Sequence, residues 1–369
     1  MLDKLDEAKE LAALRIQIDD IDQQIQILIN KRAECAQRVA EVKQLAADGK
    51  EVQYYRPERE AQVLRSVMDR NTGPLPAEDM AKLFREIMSC CLALEKPMKV
   101  AFLGPEGTYT HAAALKHFGH FVLAQPMAAI DEVFREVESG QANYGVVPVE
   151  NSTEGMVNHT LDSFIGSRLF IAGEVKLRIH HHLLSTDSNV DIKCVKRVYS
   201  HQQSLAQCRK WLDANCPQIE RVAVSSNAEA ARLAKAEKGA VAIAGDMAAE
   251  LYGLVKCAEN IEDQPDNTTR FLIVGSQVVP ASGKDKTSIM VSVKNKPGAL
   301  YHLLEPFHKE NLSLTRIETR PSPSGTWSYV FFIDFEGHID DEKVQAVIRQ
   351  VSPEVVEVKH LGSYPVGVL

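Results

Sequence analysis

The chain has no charge-free apolar run approaching the roughly eighteen residues that a membrane span needs. Its opening, MLDKLDEAKE, has none of the hydrophobic core of a secretory signal. Cys-x-x-Cys pairs are missing too. The 7 cysteines are scattered and odd in number, with Cys90 and Cys91 adjacent. That argues against a zinc site and against a disulfide framework, and for a reduced, cytoplasmic protein. Positive charge is in deficit, with 42 Lys and Arg against 50 Asp and Glu for a net charge of −8, which argues against nucleic acid as the main partner. Any cationic site must therefore be local. What is present is ordinary for a globular protein: 45% hydrophobic and 25% charged residues in a chain of 369, enough for two or three domains.

Residues 11–47 read as one long helix. Leu11, Leu14, Ile18, Ile21, Ile25, Leu28, Cys35, Val39 and Val42 recur at steps of three and four, a seam for packing lengthwise against other helices. Arg32 interrupts that seam. A buried, unpaired guanidinium costs roughly several kcal/mol, so an anion must meet it. At 100° and 1.5 Å per residue, Lys43 lies about 20° round from Arg32 and roughly 16 Å further along, close enough for two long side chains to share a small polyanion. Arg15 is about 100° away and roughly 25 Å back, so it serves an anion site only if a second copy of the chain builds that site. The alternatives are a structural salt bridge for Arg32 and solvated flanks for Arg15 and Lys43. The helix should stop at Asp48-Gly49.

Pro57 is suited to open a second helix, which carries Arg59, Glu60, Val63, Leu64, Val67 and Met68. A third, over 77–95, has an inward row of Met80, Phe84, Ile87 and Cys91, with the carboxyl of Glu95 one turn further on. Three helices of such unequal length leave seam uncovered, which an intertwined dimer would cover. This segment resembles the all-helical chorismate mutase domain of the AroQ class. Carried over by position, the resemblance places Arg15, Arg32, Lys43, Arg59, Glu60, Cys91 and Glu95 at substrate-binding positions, with Arg15 reaching into the partner's site. Arg56 occupies a place that is acidic in some relatives. Cys91 stands where serine is common, and Glu95 where glutamine is. The implied reaction is pericyclic and needs no cofactor. Arg15 and Arg32 would clamp two carboxylates, Lys43 and a protonated Glu95 would face the ether oxygen, and Glu60 would accept from the ring hydroxyl.

After Pro97 the pattern changes. Apolar runs at 100–103, 144–149, 197–199, 221–224, 241–244 and 271–274 alternate with helical stretches, one of them opened by a capping box at Ser226 and Glu229. The alternation reads as α/β with largely parallel sheets in two lobes and a cleft between them. Polar clusters end several runs: VENST (149–153), SHQQ (200–203) and DNTTRF (266–271). The triplet His180-His181-His182 suggests a metal. Consecutive strand residues point to opposite faces, however, and no second ligand pair stands at suitable spacing, so neither metal nor cofactor is expected. GPEGTYT at 104–110, PVENSTEG, the run from Ser200 to Cys208, and Thr269-Arg270-Phe271 together resemble prephenate dehydratase. The resemblance implies a core like that of periplasmic binding proteins. It also implies an essential hydroxyl at Thr269 and a cleft lined by Glu150, Asn151, Ser200 and Gln207. Decarboxylation coupled to loss of a ring hydroxyl needs a general acid. Threonine is a poor one, so Thr269 is cast as a hydrogen-bond donor or proton conduit. Arg270 either anchors a carboxylate or caps a strand.

Residues 281–286 read as a linker. Beyond it the order is strand, helix, strand, strand, helix, strand, a ferredoxin-like βαββαβ arrangement. It resembles an ACT regulatory domain, with Gly298, Ala299 and Leu300 on one phenylalanine-binding motif and Glu318, Thr319, Arg320 and Pro321 on the other. The expected units are 1–97, 98–278 and 286–364. Their series resembles the bifunctional family that makes phenylpyruvate from chorismate by way of prephenate under control by L-phenylalanine. The expected assembly is at least a dimer, without nucleic acid or membrane. Two other readings remain: a non-catalytic solute sensor, and a dehydratase whose helical domain only dimerises.

Overall fold

The computed structural model describes residues 2–47, 52–192, 195–293, 296–321 and 329–369. The first domain comprises α1 (Leu2–Ala46), α2 (Pro57–Asp69) and α3 (Ala77–Glu95). The expected stop at Asp48-Gly49 falls outside the described residues. Along α1 the seam stands open in the single chain, with Leu14, Ile18, Ile21, Ile25 and Leu28 between 48% and 64% exposed. In α3 the row expected inward buries Cys91 but leaves Met80, Phe84 and Ile87 only partly covered; the helix also buries Ala81, Arg85 and Ser89. The cause is the neighbouring domain. Arg85 Nη1 donates to the Lys116 carbonyl at 2.7 Å, and the Phe121 N–H donates to Ser89 Oγ at 3.3 Å. Approach there is so close that a Cβ at Gly119, whose φ is +77°, would come within 2.5 Å of Ser89.

The middle domain has two lobes. The first contains β1 (Lys99–Leu103), α4 (Tyr109–Phe118), β2 (Leu123–Met127), α5 (Ile130–Glu138), β3 (Tyr144–Asn151), β4 (Gly155–Met156), α6 (Asn158–Gly166) and β5 (Phe170–Arg178). The second contains β6 (His182–Ser185), β7 (Arg197–His201), α7 (Gln202–Gln207), α8 (Arg209–Asn215), β8 (Glu220–Val224), α9 (Asn227–Ala236), β9 (Ala240–Ala244), α10 (Asp246–Tyr252) and β10 (Val255–Ala258). The chain then returns to the first lobe as β11 (Thr268–Gly275), giving sheet orders β2-β1-β3-β11-β5 and β10-β6-β9-β7-β8. These sheets are mixed rather than largely parallel. β2, β1 and β3 are parallel, as are β8, β7 and β9, but β11 runs antiparallel to both β3 and β5. That direction follows from the route: the chain leaves the first lobe through β5 and re-enters through β11. The predicted cap at Ser226 forms, its Oγ accepting from the Glu229 N–H at 3.0 Å.

The C-terminal domain is β12 (Asp285–Val293), α11 (Ala299–Lys309), β13 (Leu314–Pro321), β14 (Tyr329–Glu336), α12 (Glu342–Val351) and β15 (Glu357–Pro365), an antiparallel sheet ordered β13-β14-β12-β15. The expected linker is a hydrogen-bonded turn. Ser282 Oγ donates to Asp285 Oδ1 at 2.6 Å, and Arg65 on α2 grips the Ser282 and Lys284 carbonyls at 3.1 and 2.9 Å. The two sheets share one core, in which Leu272, Val274 and Ile171 pack with Met290, Val330, Phe332 and Tyr364. Gly362 lies against Ile171 so closely that any side chain would meet backbone.

Arg270 is buried in this seam. Its Nε donates to Glu174 on β5 at 2.7 Å, Nη1 to Asp334 on β14 at 2.7 Å, and Nη2 to the Tyr364 hydroxyl at 3.0 Å. Lys286 completes the group on Glu174 at 2.8 Å. Burial pushes both carboxyls up, but the facing cations outweigh it and hold both below the usual carboxylate range. Their stabilisation is therefore fully present above the unfolded values of about 4 and is lost as pH falls through the lowered folded ones. Arg270→Ala should cost about 3–5 kcal/mol, because it strips a cation from buried carboxylates; a urea midpoint within error of wild type would contradict this.

Candidate active sites

The lobes meet where the chain crosses between them twice. There the Ile179 N–H donates to the Asn267 carbonyl at 2.8 Å, Ile261 to His181 at 2.8 Å, and Asp263 to Gln207 at 2.7 Å. Beside these crossings lies a cleft of about 200 Å³, onto which Tyr109, Asn151, His181, Gln207, Asn227 and Thr269 open. Thr269 and Asn151 face each other across the β11–β3 ladder. Asn151 Oδ1 accepts from the Thr153 and Glu154 N–H groups at 3.0 and 3.1 Å, and those backbone donors fix which end of the amide is oxygen. Its Nδ2 must then donate, to Thr269 Oγ1 at 2.7 Å and to Asn267 Oδ1 at 3.1 Å.

Glu150 and Arg270, expected in this cleft, do not line it. Successive strand residues face opposite sides, so with Asn151 and Thr269 turned to the cleft their neighbours face the other side, where Arg270 meets the C-terminal sheet. Ser200 is a layer deeper. It is fully buried, with Oγ 2.8 Å from the Ile243 carbonyl oxygen and 3.0 Å from Asn227 Oδ1. Gln207 is on the wall, its Nε2 donating to Thr153 Oγ1 at 2.9 Å. Sequence reasoning assigned no role to Tyr109, Asn227 or Asn267, and weighed His181 only as a metal ligand.

In the helical domain, Arg32, Lys43 and Glu95 come together. Burial raises the Glu95 pKa against the opposing pull of Lys43 and Arg32. Lys43 Nζ also donates to the Gln53 and Tyr54 carbonyls at 3.3 and 3.4 Å. Among the described residues Arg32 has no carboxylate within salt-bridge distance, the ion-pair reading set out above notwithstanding. Arg15 and Arg59 are exposed, and Cys91 is buried. Two expected members are occupied elsewhere. Arg56 Nε pairs with Glu58 at 2.6 Å, and Glu60 pairs with Arg85 at 3.3 Å in a buried group with Tyr55, whose hydroxyl lies 3.2 Å from His117 Nε2 on α4. Burial holds His117 neutral, with its pKa pushed down to about 3.

In the C-terminal domain, Gly298 opens α11 with φ +80°, a left-handed conformation suited to glycine, followed by Ala299 and the exposed Leu300. On β13, Glu318 and Arg320 are partly buried while Thr319 and Pro321 are exposed. Arg320 forms a two-pronged pair with Asp162 on α6, at 2.9 and 2.7 Å.

The chain is thus built in three parts: a helical domain that gathers Arg32, Lys43 and Glu95, a bilobed domain with a polar cleft, and a ferredoxin-like sheet fused to it. The chain matches chorismate mutase type II over residues 14–96, prephenate dehydratase over 100–278 and the ACT domain over 287–353. A bifunctional chorismate mutase/prephenate dehydratase of Stutzerimonas stutzeri is 62% identical over 366 residues, 99% of this chain and all of the relative. One from Escherichia coli K12 is 30% identical over 96% of each chain. Among solved structures, a prephenate dehydratase from Arthrobacter aurescens in complex with L-Phe is similar at 32% identity and a TM-score of 0.68, over 73% of this chain and 90% of that one. The enzyme from Staphylococcus aureus has 29% identity and a TM-score of 0.65, over 72% and 100%. This chain belongs to the family of bifunctional chorismate mutase/prephenate dehydratases. Both activities and the ACT domain are as read from the sequence, and no helix among the described residues is long and apolar enough to cross a membrane.

Proposed function

We propose that Thr269 acts in the dehydratase step as a hydrogen-bond donor to the departing ring hydroxyl of prephenate. One observation carries this reading. Because Asn151 Nδ2 donates to Thr269 Oγ1, the hydroxyl hydrogen of Thr269 is left for the cleft. An amide N–H cannot pass on a proton and be reloaded, so Asn151 orients Thr269 without feeding it. Gln207 and Asn227 hold the remaining wall, and Ser200 fixes Asn227 from behind. We read the functional units as 1–97, 98–278 and 286–364, in a cytoplasmic enzyme.

In the mutase step, Lys43 and a protonated Glu95 face the ether oxygen of chorismate, where negative charge grows, and Arg32 holds a carboxylate. The seam left open on α1 accommodates a second copy of the chain, which would bring Arg15 and complete the clamp. Glu60, committed to Arg85, reaches the ring hydroxyl only after that pair opens. L-Phenylalanine is the effector of the ACT domain, at Gly298, Ala299 and Leu300 and at Glu318, Thr319, Arg320 and Pro321. An effector carboxylate that takes Arg320 displaces Asp162, which links the effector site directly to the dehydratase domain.

Chorismate supplied alone should yield phenylpyruvate; no reaction would favour a solute sensor, and turnover of prephenate only would favour a dehydratase with a dimerising helical domain. Thr269→Ala should lower dehydratase kcat by about 10²–10³, the cost of losing one donor to a transition state, and wild-type turnover would remove the assignment. Because Glu95 acts protonated and its pKa is raised, mutase activity should fall as pH rises through that raised value. Glu95→Gln, which donates at every pH, should flatten the profile; an unchanged profile would refute the role.

A further inference from the structure

Conversion of prephenate, a dianion, to phenylpyruvate, carbon dioxide and water consumes one proton per turnover. With Thr269 unable to be reloaded through Asn151, that proton needs another source in the cleft. The hydrogen-bond chain from Asn151 identifies one. Asn151 Nδ2 donates to Asn267 Oδ1, so Asn267 Nδ2 faces Gln207 Oε1 at 3.3 Å as a donor. Gln207 Oε1 is thereby an acceptor, and it stands 2.8 Å from His181 Nε2, which must carry a hydrogen. On the other side of the ring, Nδ1 lies 2.8 Å from the Tyr109 hydroxyl, while that hydroxyl lies 2.6 Å from the His180 carbonyl oxygen. A phenol has one hydrogen. If it goes to His180, both nitrogens of His181 are donors and the ring is an imidazolium. If it turns to Nδ1, the ring is neutral.

We propose that Tyr109 and His181 are the proton-delivery pair of the dehydratase cleft, with Tyr109 as the catalytic residue and His181 as the positioning residue that reloads it. This rests on the dehydratase reading above. The bond from the ring carbon to the carboxylate breaks and its electron pair moves into the ring, releasing carbon dioxide. The ring carbon–oxygen bond breaks on the opposite side, and the departing oxygen takes the Tyr109 proton and leaves as water. Tyr109 takes the Nδ1 proton of His181 in the same event. His181 is recharged from solvent between turnovers, so the sum is one dianion and one proton in, one monoanion, carbon dioxide and water out.

The surroundings suit a ring that charges only when substrate is present. His181 is 1% exposed, and burial lowers its pKa. The groups facing it are Tyr109 from α4, Gln207 from α7, the Glu262 carboxylate, and the flanking His180 and His182. His182 in turn faces Asp246 and Lys256, and Cys208 and Asp246 lie near Tyr109. Glu262 favours the cation and the neighbouring histidines oppose it. It is held in place by the His181 N–H at 2.9 Å and by His180 Nδ1 at 2.8 Å. An entering dianion adds negative charge beside the ring and tips the balance towards the imidazolium.

The test uses the full chain with supplied prephenate, and chorismate turnover in the same samples as the check on folding. Tyr109→Phe, which removes a single oxygen, should lower dehydratase kcat by about 10²–10⁴, the span of general-acid contributions. In the wild type kcat should fall as pH rises and His181 loses its proton. His181→Gln should lower kcat and abolish that fall. Dehydratase kcat within about threefold of wild type in either variant would overturn the pair. So would a His181→Gln enzyme that is slower at every pH yet keeps the wild-type profile, since that marks a structural part only. Wild-type protein that leaves prephenate untouched would instead sink the dehydratase reading itself. Should Tyr109→Phe fail the folding check, the pH profile of His181→Gln decides alone.

Discussion

Arg270 carries its charge into the seam between the dehydratase sheet and the ACT sheet, where Glu174 meets it from one side and Asp334 from the other. A guanidinium in such a place is tolerable only while both carboxylates and the Tyr364 hydroxyl hold their positions. Its neighbour on the same strand, Thr269, faces the cleft. The proposed hydrogen-bond donor and the anchor of the ACT sheet are thus adjacent residues on β11. The contact between the two sheets and the cleft wall therefore lie one residue apart along the strand.

A second junction works alike on the other side. Arg85, Glu60, Tyr55 and His117 form a buried group between the mutase helices and α4, and α4 begins with Tyr109. The mutase domain is therefore not tethered by a flexible link. It is seated on the helix whose first residue opens onto the dehydratase cleft. The Arg65 clamp on the turn at Ser282 ties the same mutase domain to the entry of the ACT sheet.

Much of this was legible in the sequence where one period or one local motif carries the information. The seam of α1, the start of α2 at Pro57, the cap at Ser226 and the βαββαβ order all rest on spacings within a few residues. What escaped rests on distant pairs. Nothing near Arg270 announces that its partner is Asp334, on a strand of another domain. The apolar row of α3 predicts only Cys91 among its buried residues, because Arg85 and Ser89, which look like surface residues, are covered by the neighbouring domain. His181 was read within a triplet of like residues, and only the fold shows that it faces Tyr109 and Gln207 while its neighbours face elsewhere. The family resemblance implies Glu150 in the cleft and leaves Arg270 open between a carboxylate anchor and a strand cap, but strand alternation turns both away.

The shared core under Gly362 bears on how such an enzyme can be rebuilt. Met290, Val330, Phe332 and Tyr364 are covered by the dehydratase lobe rather than by their own fold. Lifted out and grafted onto another catalyst, this sensor would arrive with a bare greasy flank and an aspartate left with Arg316 as its one cation among the described residues. It is less an interchangeable cartridge than a wall of the building it monitors.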